Sequence, residues 1–293
     1  MSQSESAILR LCDDPEFFRT AVQFTAQATE FSPRLIEKDY ICTVLLEQLF
    51  SAPSGLVFKG GTCLAKVHAD FYRLSEDLDF VISIPENAPR TRRSKLALAL
   101  KEAVDSIETR LPMFRLVAPL TGANNSTQYN AVIGYTPLSS PDADTIKIEV
   151  GLREPLLLPV LNGPAQTILL NPGSSKPLFP PLVVRCIAKT EAFAEKFRAA
   201  LSRLTVAPRD FFDLDYAVRK LDLDVDSMEL IDLVRVKLKV KGTGPVDVSR
   251  GRFADLQRQV GPQLEPVLRS IDFAEFDADR AFRIVENMAR KVS

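Results

Sequence analysis

The chain has 293 residues, of which 46% are hydrophobic, and its 37 Lys and Arg nearly balance its 38 Asp and Glu. This length and apolar content predict one large domain or two modest ones with a proper core. The single histidine, His68, excludes sites with several histidine ligands, and a Ser-His-Asp triad would have to use it. The net charge of −1 argues against a globally basic nucleic-acid binder and leaves room for a local basic face.

The four cysteines are far apart and contain no CxxC pair: Cys12, Cys42, Cys63 and Cys186. This spacing predicts reduced, mostly buried thiols of a cytosolic protein rather than a disulfide framework. The polar and acidic start of the chain does not look like a signal peptide, and no apolar run approaches the roughly 18–20 residues of a membrane span. We therefore expect a soluble, cytoplasmic protein that makes no contact with membranes.

The first half of the chain alternates between helical and strand patterns. Apolar spacing predicts helices over 15–30, 33–51, 62–73 and 90–111, and strands over 56–58, 77–83, 113–118, 128–136 and 144–152. Helices that precede a run of strands favour a mixed α/β or α+β sheet domain.

The second half of the chain has a different pattern. The segment 153–181 is rich in Pro and Gly, and beyond residue 182 the apolar spacing predicts only helices, over 182–204, 208–220, 226–240, 251–269 and 273–291. We therefore predict a sheet domain over 1–160, a Pro-rich connector over 161–181 and a helical domain over 182–293.

A pair of glycines ends the first predicted strand. Phe58 and Lys59 lead into Gly60 and Gly61, and Thr62 begins the next helix. Glycines allow a ligand to approach the backbone closely, and the N–H groups at a helix start attract anions such as phosphate. The other interpretation is a tight strand-to-helix turn that binds nothing. It is not a Walker loop, because GxxxxGK[ST] is absent.

Acidic residues occupy the following two strands. Asp77 and Asp79 are two residues apart at a strand start, so both carboxylates point to one face, where they suit Mg²⁺. They could equally be solvated acids of an exposed turn. Glu149 is an acid inside an apolar strand and needs a partner if it is buried. That partner is either Lys147 on the same face or a cation shared with Asp77 and Asp79.

Charged residues also recur in the helical half. Lys189, Lys196 and Arg203 are seven residues apart, so they line one helix face, which could hold phosphates or be a solvated flank. Asp210 and Asp213 follow Pro208 in a first helical turn, where acids commonly just interact with the helix dipole.

Five segments together resemble a known family: EKDY at 37–40, FKGGTCLAK at 58–66, SEDLD at 75–79, EAFAEKF at 191–197 and RDFFDL at 209–214. They are similar to the AbiEii/AbiGii family of bacterial toxins, to which the MenT-type toxins are related. The resemblance covers roughly residues 30–220. It implies a polymerase-β-like nucleotidyltransferase domain with a mixed sheet, followed by a helical domain, and so an α+β protein.

The resemblance also implies an activity. Such toxins transfer nucleotides from an NTP with Mg²⁺, or Mn²⁺, to an RNA, with the tRNA 3′ acceptor end as the expected target, and this transfer blocks translation and growth. They belong to toxin–antitoxin or abortive-infection systems, which implies an AbiEi-like antitoxin as partner.

The implied site residues fall into three sets. The catalytic residues are Asp77, Asp79, Lys196, Asp213 and Glu149, the last placed by its strand context alone. The metal ligands are Asp77, Asp79 and Glu149. The nucleotide-binding residues are Gly60, Gly61, Thr62, Lys66, Ser75, Lys189 and Asp210. One departure from the family is Cys63, where a serine is common.

Two other functions remain open at this point. One is a kinase-like phosphotransferase that acts on protein, and the other is a non-catalytic nucleotide- or RNA-binding module. The intact motifs argue against the second, since an inactive homologue typically loses one of them. The basic segments 90–95 and 235–241 either contact RNA phosphates or form solvated helix flanks.

Overall fold

The computed structural model describes residues 8, 14–52, 55–138, 140 and 142–293. The chain divides into two compact units, Met1–Ile187 and Ala188–Ser293. The boundary lies later than predicted, because part of the predicted connector and the first residues of the predicted helical domain belong to the sheet of the first unit. Three of the cysteines, Cys42, Cys63 and Cys186, are buried free thiols as predicted, whereas Cys12 lies outside the described residues.

Two amphipathic helices open the first unit. Helix α1, Pro15–Thr29, follows the cap residue Asp14, whose carboxylate accepts a hydrogen bond from the Phe17 N–H at 3.0 Å. Helix α2, Pro33–Phe50, begins after the cap residue Ser32 with proline at its first position. Proline has a helical φ and no N–H to satisfy there, so the sequence fixes both starts locally, as predicted.

The sheet of the first unit has seven strands in the order β3-β4-β5-β2-β1-β7-β6. The strands are β1 Val57–Lys59, β2 Leu78–Val81, β3 Phe114–Ala123, β4 Gln128–Tyr135, β5 Asp144–Gly151, β6 Leu161–Ala165 and β7 Leu182–Cys186. β2 pairs with β5 in parallel and with β1 in antiparallel orientation, so the sheet is mixed.

The two faces of the central strands differ in polarity. Ile146, Ile148 and Val150 of β5 and Phe80 of β2 are fully buried, and the Phe80 ring contacts that of Phe50 on α2 at 6.0 Å. Each such apolar side chain contributes about 1.5–3 kcal/mol on burial. Successive side chains of a strand point to opposite faces, so Asp79 of β2 and Thr145, Lys147 and Glu149 of β5 lie on the other face. The polar face carries the acidic residues.

Two helices of the first unit are shorter than predicted. Helix α3, Gly60–Cys63, continues as a single π turn, Leu64–His68, and stops before Asp70 and Phe71, which have φ of 45° and 54°. The predicted helix over 90–111 is divided into α4 Arg90–Leu96, α5 Leu98–Asp105 and α6 Ile107–Arg110.

The predicted helix over 182–204 is wrong at its start. Residues 182–186 form β7, which pairs in parallel with β1 and in antiparallel orientation with β6, and helix α7 begins only at Lys189. The run Leu-Val-Val is compatible with either structure over so few residues. Pairing with β1 decides it, and burial alternates along β7 as a strand requires.

The second unit is helical, as predicted. Its helices are α7 Lys189–Ser202, α8 Pro208–Lys220, α9 Met228–Leu238, α10 Arg250–Leu264, α11 Ser270–Glu275 and α12 Ala278–Val292, with a short 3₁₀ turn at Glu265–Val267. Phe211 of α8 stacks on Phe282 of α12 with ring centroids 6.0 Å apart. A mixed sheet followed by helices confirms the predicted α+β class. Within the described residues, no helix has the length and apolar content to cross a membrane.

Candidate active site

Gly60 allows the strand-to-helix turn to lie directly against an acidic side chain. Its φ is +76°, and a Cβ at this position would overlap the Oδ2 of Asp79. Only glycine adopts this φ without strain and leaves room for that carboxylate. The predicted anion-binding turn and the predicted metal-binding acid are therefore immediate neighbours.

Gly61 makes room for a cation and a hydroxyl group. A Cβ there would lie 2.6 Å from Nη2 of Arg73 and 3.1 Å from Oγ of Ser75. Arg73 is only 1% exposed and also donates a hydrogen bond to the carbonyl of Leu74 at 3.2 Å. Sequence reasoning identified Ser75 and missed Arg73; the available signal was a basic residue two positions before the acidic motif.

Thr62 connects the turn to the acidic segment. Its hydroxyl donates a hydrogen bond to the backbone carbonyl of Asp77, and the residue is 1% exposed. The side chain is therefore positioned to hold the Asp77 segment against the turn. The predicted phosphate contact of Thr62 would have to come from its backbone N–H.

Glu149 lies beside Asp79 and pairs with Lys147, so both of its proposed partners are close. Asp79 and Glu149 are register partners on the parallel strands β2 and β5, and Lys147 forms an ion pair with Glu149. The hydrogen bond to Glu149 raises the pKa of Lys147, and the charges of Asp77 and Asp79 add to this effect. The ammonium group therefore lies in the field of all three carboxylates.

The predicted metal set of three carboxylates is not assembled. Among the described residues, no group of three or more His, Cys, Asp or Glu side chains is arranged to hold a metal ion. Glu149 has a cation of its own in Lys147. Asp77 and Asp79 remain as the carboxylates next to the glycine turn.

Lys66 is not placed as predicted. Its ammonium group is fully buried and lies 2.8 Å from Oδ1 of Asp39 and 2.8 Å from the hydroxyl of Thr43. Lys66 therefore forms a structural ion pair that joins the π turn after α3 to α2. A lysine engaged in this way is not placed to bind a nucleotide. The only histidine, His68, bonds through Nε2 to the Ile187 carbonyl at 2.9 Å, so its contact is with backbone.

The second unit gathers another predicted set of residues. Nζ of Lys196 lies 2.8 Å from Oδ1 of Asp210 and 2.8 Å from Oδ2 of Asp213, and Arg203 lies 3.1 Å from Asp210. The Asp213 side chain is fully buried. We call these residues the lysine–aspartate cluster. Both acids therefore bind Lys196 of α7, and Asp210 also binds Arg203 directly after that helix, so they do not serve the helix dipole alone. The third predicted cation, Lys189, is the first residue of α7.

A family model decides the identity of the chain. The model described as "Nucleotidyl transferase AbiEii toxin, Type IV TA system" matches residues 44–288. The chain belongs to the AbiEii nucleotidyltransferase toxin family. Membership confirms the predicted family and enzyme class, and it implies an NTP substrate and an antitoxin as partner.

Solved structures confirm the fold of this AbiEii protein. MenT4, a nucleotidyltransferase toxin from Mycobacterium tuberculosis H37Rv, is similar with a TM-score of 0.56 and 20% identity over 94% of this chain and 98% of that one. JHP933 from Helicobacter pylori gives 0.53 and 16% over 89% and 93%. No curated protein matches the chain.

The two basic segments of the AbiEii chain are partly structural. Arg93 is buried and donates hydrogen bonds to the carbonyls of Ala88 and Asn125. Lys237 is fully buried and lies 2.7 Å from Glu191. Only the remaining cations of these segments are available for the predicted RNA contacts.

Sequence reasoning also missed the ion pair of a buried aspartate on α8. The fully buried Asp215 binds both Nε and Nη2 of Arg280, at 2.6 and 2.9 Å. It lies in the RDFFDLD run, but its partner is on α12, which no local pattern indicates.

Proposed function

We propose that this AbiEii protein transfers nucleotides from an NTP to an RNA, with the tRNA 3′ acceptor end as the target, and thereby stops translation and growth. One observation carries this proposal: Gly60 brings the phosphate-binding turn against the carboxylate of Asp79. A nucleotidyltransferase needs its triphosphate held next to acids that bind a metal ion, and the contact supplies that arrangement.

The residues of the turn bind the triphosphate. Residues 60–62 are the first residues of α3, and backbone N–H groups at a helix start favour phosphate oxygens. The guanidinium of Arg73 lies against Gly61 and adds positive charge beneath the turn. Thr62 fixes the acidic segment to the turn through the Asp77 carbonyl.

The oxygen donors next to the turn suit Mg²⁺, with Mn²⁺ as a substitute. Mg²⁺ typically takes one or two carboxylates together with substrate phosphates, so Asp77 and Asp79 suffice without a third protein ligand. When bound, the ion neutralises charge on the triphosphate and on the departing pyrophosphate.

The chemistry is a displacement at the α-phosphorus. A hydroxyl oxygen of the RNA forms the new bond to phosphorus, the bond to the β-phosphate oxygen breaks, and pyrophosphate leaves. The hydroxyl proton passes to a carboxylate, for which Glu149 is suited as the neighbour of Asp79. The predicted phosphate contacts of Lys196 and Lys189 stay predictions.

Incubation with each radiolabelled NTP, Mg²⁺ and total bacterial RNA tests the proposal. Wild-type protein should label RNA and release pyrophosphate, and Asp77→Asn should label none. Asp105→Asn, a change at an exposed acid on α5, should behave as wild type. Release of NDP with label on protein would instead identify a phosphotransferase, and no label anywhere would contradict the proposal.

Growth assays test the biological part. Expression of the wild-type chain should arrest bacterial growth, and co-expression of an AbiEi-like antitoxin should restore it. Asp77→Asn should be harmless without the antitoxin. Normal growth with well-expressed wild-type protein would count against a toxin that targets translation.

A further inference from the structure

A polar row crosses four strands of the sheet beside the glycine turn. The register partners are Lys59 with Asp79, Asp79 with Glu149, and Glu149 with Asn130. Residues directly opposite on neighbouring strands point to the same face, so these four side chains share one face. Since strands lie about 4.8 Å apart, the row extends about 14 Å from β1 to β4.

The far end of this row is neutral and rich in hydrogen-bonding groups. Asn130 and Gln128 are alternate residues of β4 and therefore share the face, and Nε2 of Gln128 donates to Oδ1 of Asn130 at 3.2 Å. Both residues are half-buried. β4 contains no Lys, Arg, Asp or Glu, so it offers amide donors and acceptors and no ion pair for phosphate.

The order of the groups along the row indicates which end lies beside the triphosphate and which end lies beside the attacking hydroxyl. The glycine turn adjoins Lys59 and Asp79, and under the proposed function it holds the phosphates that leave as pyrophosphate. In phosphoryl-group transfer the attacking and leaving oxygens are roughly in line on opposite sides of phosphorus. The attacking hydroxyl therefore approaches from the side away from the turn, over Glu149 and β4.

We propose that Asn130 and Gln128 form an acceptor subsite, in which they hydrogen-bond the RNA nucleotide that carries the attacking hydroxyl. Unstacked RNA nucleotides are recognised through hydrogen bonds to base edges and the 2′-hydroxyl, for which side-chain amides provide both donors and acceptors. The hydroxyl proton then goes to Glu149, the neighbour of Asn130 in the row. This inference rests on the proposed transfer to RNA.

Steady-state kinetics with unfractionated bacterial tRNA as acceptor test the subsite. Asn130→Ala and Gln128→Ala should each raise the KM for tRNA roughly five- to tenfold, the loss expected for one or two hydrogen bonds. The KM for the NTP should stay within about twofold, because the amides lie away from the turn. Filter binding of tRNA without NTP should weaken in parallel.

Asn162→Ala is the matched control, since Asn162 is an exposed asparagine on β6 at the opposite edge of the same sheet. It should leave both KM values unchanged. Asn130→Asp preserves the shape of the side chain and places a negative charge beside Glu149. It should weaken tRNA binding even if the alanine variant folds poorly.

The possible results of these measurements either support the acceptor subsite or overturn it. An unchanged KM for tRNA in folded variants would overturn the subsite while wild-type activity leaves the transferase intact. A raised KM for the NTP, or an altered choice of NTP, would assign the amides to the nucleotide and also overturn it. Wild-type protein that modifies no RNA would remove the proposed function and the acceptor subsite with it.

Discussion

Asp77, Asp79, Lys147 and Glu149 form what we call the acidic centre of the first unit. This centre and the lysine–aspartate cluster of the second unit combine the same residue types in opposite environments. In the acidic centre the side chains of Lys147 and Glu149 are 49% and 32% exposed. In the cluster the side chains of Lys196 and Asp213 are 13% and 0% exposed. An exposed pair exchanges partners at little cost, whereas breaking a buried pair leaves an uncompensated charge. The acidic centre is therefore suited to binding ligands, and the cluster also stabilises its helices.

The largest expected effect is on catalysis at the acidic centre. Asp79→Asn removes a carboxylate beside the turn, so transfer should fall by about 1,000-fold, since metal-bound charge stabilisation supplies several kcal/mol of the barrier. Urea denaturation should show little change in stability, because the residue is only half-buried and asparagine keeps its shape. A variant that folds normally and keeps full transfer would remove Asp79 from the active site.

The same kind of change in the cluster should act first on folding. Asp213→Ala removes one charged hydrogen bond in a buried setting and leaves Lys196 paired with Asp210, so it should lower the free energy of unfolding by about 1.5–3 kcal/mol. The double variant Lys196→Met/Asp213→Leu should recover much of that loss. Full stability with abolished transfer would break the comparison and assign Asp213 a purely catalytic role.

Alanine substitutions at two glycines distinguish the effect of backbone strain from the effect of steric overlap with Asp79. Gly60 and Gly55 have φ of +76° and +67°, but only at Gly60 would a Cβ meet Asp79. At either position the backbone conformation alone should make alanine cost about 1–2 kcal/mol of stability, and the overlap with Asp79 adds to this cost at Gly60 only. Gly60→Ala should additionally abolish transfer by displacing Asp79, and equal activity of the two variants would disprove the role of that contact.

Lys147 competes with an added cation for the acidic centre. Lys147→Met removes a positive charge near three carboxylates, and at about 4 Å in water such a charge is worth about 1 kcal/mol. Mn²⁺ binding, measured by electron paramagnetic resonance, should therefore tighten by about fivefold. Lys101→Met on α5 is the control, and unchanged Mn²⁺ affinity in Lys147→Met would show that the lysine does not oppose metal binding.

The smallest expected effect is a pH dependence at a partly buried ion-pair network, in which Lys38 keeps Glu76 as a second partner if Asp144 is changed. Partial burial by itself raises the pKa of Asp144, but the Thr145 N–H and the cations of Lys38 and Arg34 outweigh it and hold the pKa below its ordinary 3.8. Asp144 therefore stabilises the fold above about pH 4, and this is lost as pH falls through its folded pKa. Asp144→Asn should cost up to about 1 kcal/mol at pH 7 and nothing near pH 2. A pH-independent difference in urea denaturation would contradict this.

Local rules determined much of this protein from its sequence. Proline at the start of α2 and of α8, the two glycines that open α3, and the acids Asp77 and Asp79 at the start of β2 act over a few residues. The sequence therefore predicted those elements and the candidate residues they carry. The order of the motifs along the chain likewise indicated the AbiEii family. The division into a sheet part and a helical part followed from the change in apolar period.

Tertiary structure decided which groups meet. Residues 182–186 became a strand because β1 and β6 pair with them, Lys66 is buried because Asp39 on α2 neutralises it, and Glu149 joins both Lys147 and Asp79 because β5 lies beside β2. Each depends on residues far apart in the chain, for which periodicity and spacing carry no information. The sequence alone determined the chemical groups of the site, and only the register of the sheet placed the acids, the turn and the amides of β4 in one row.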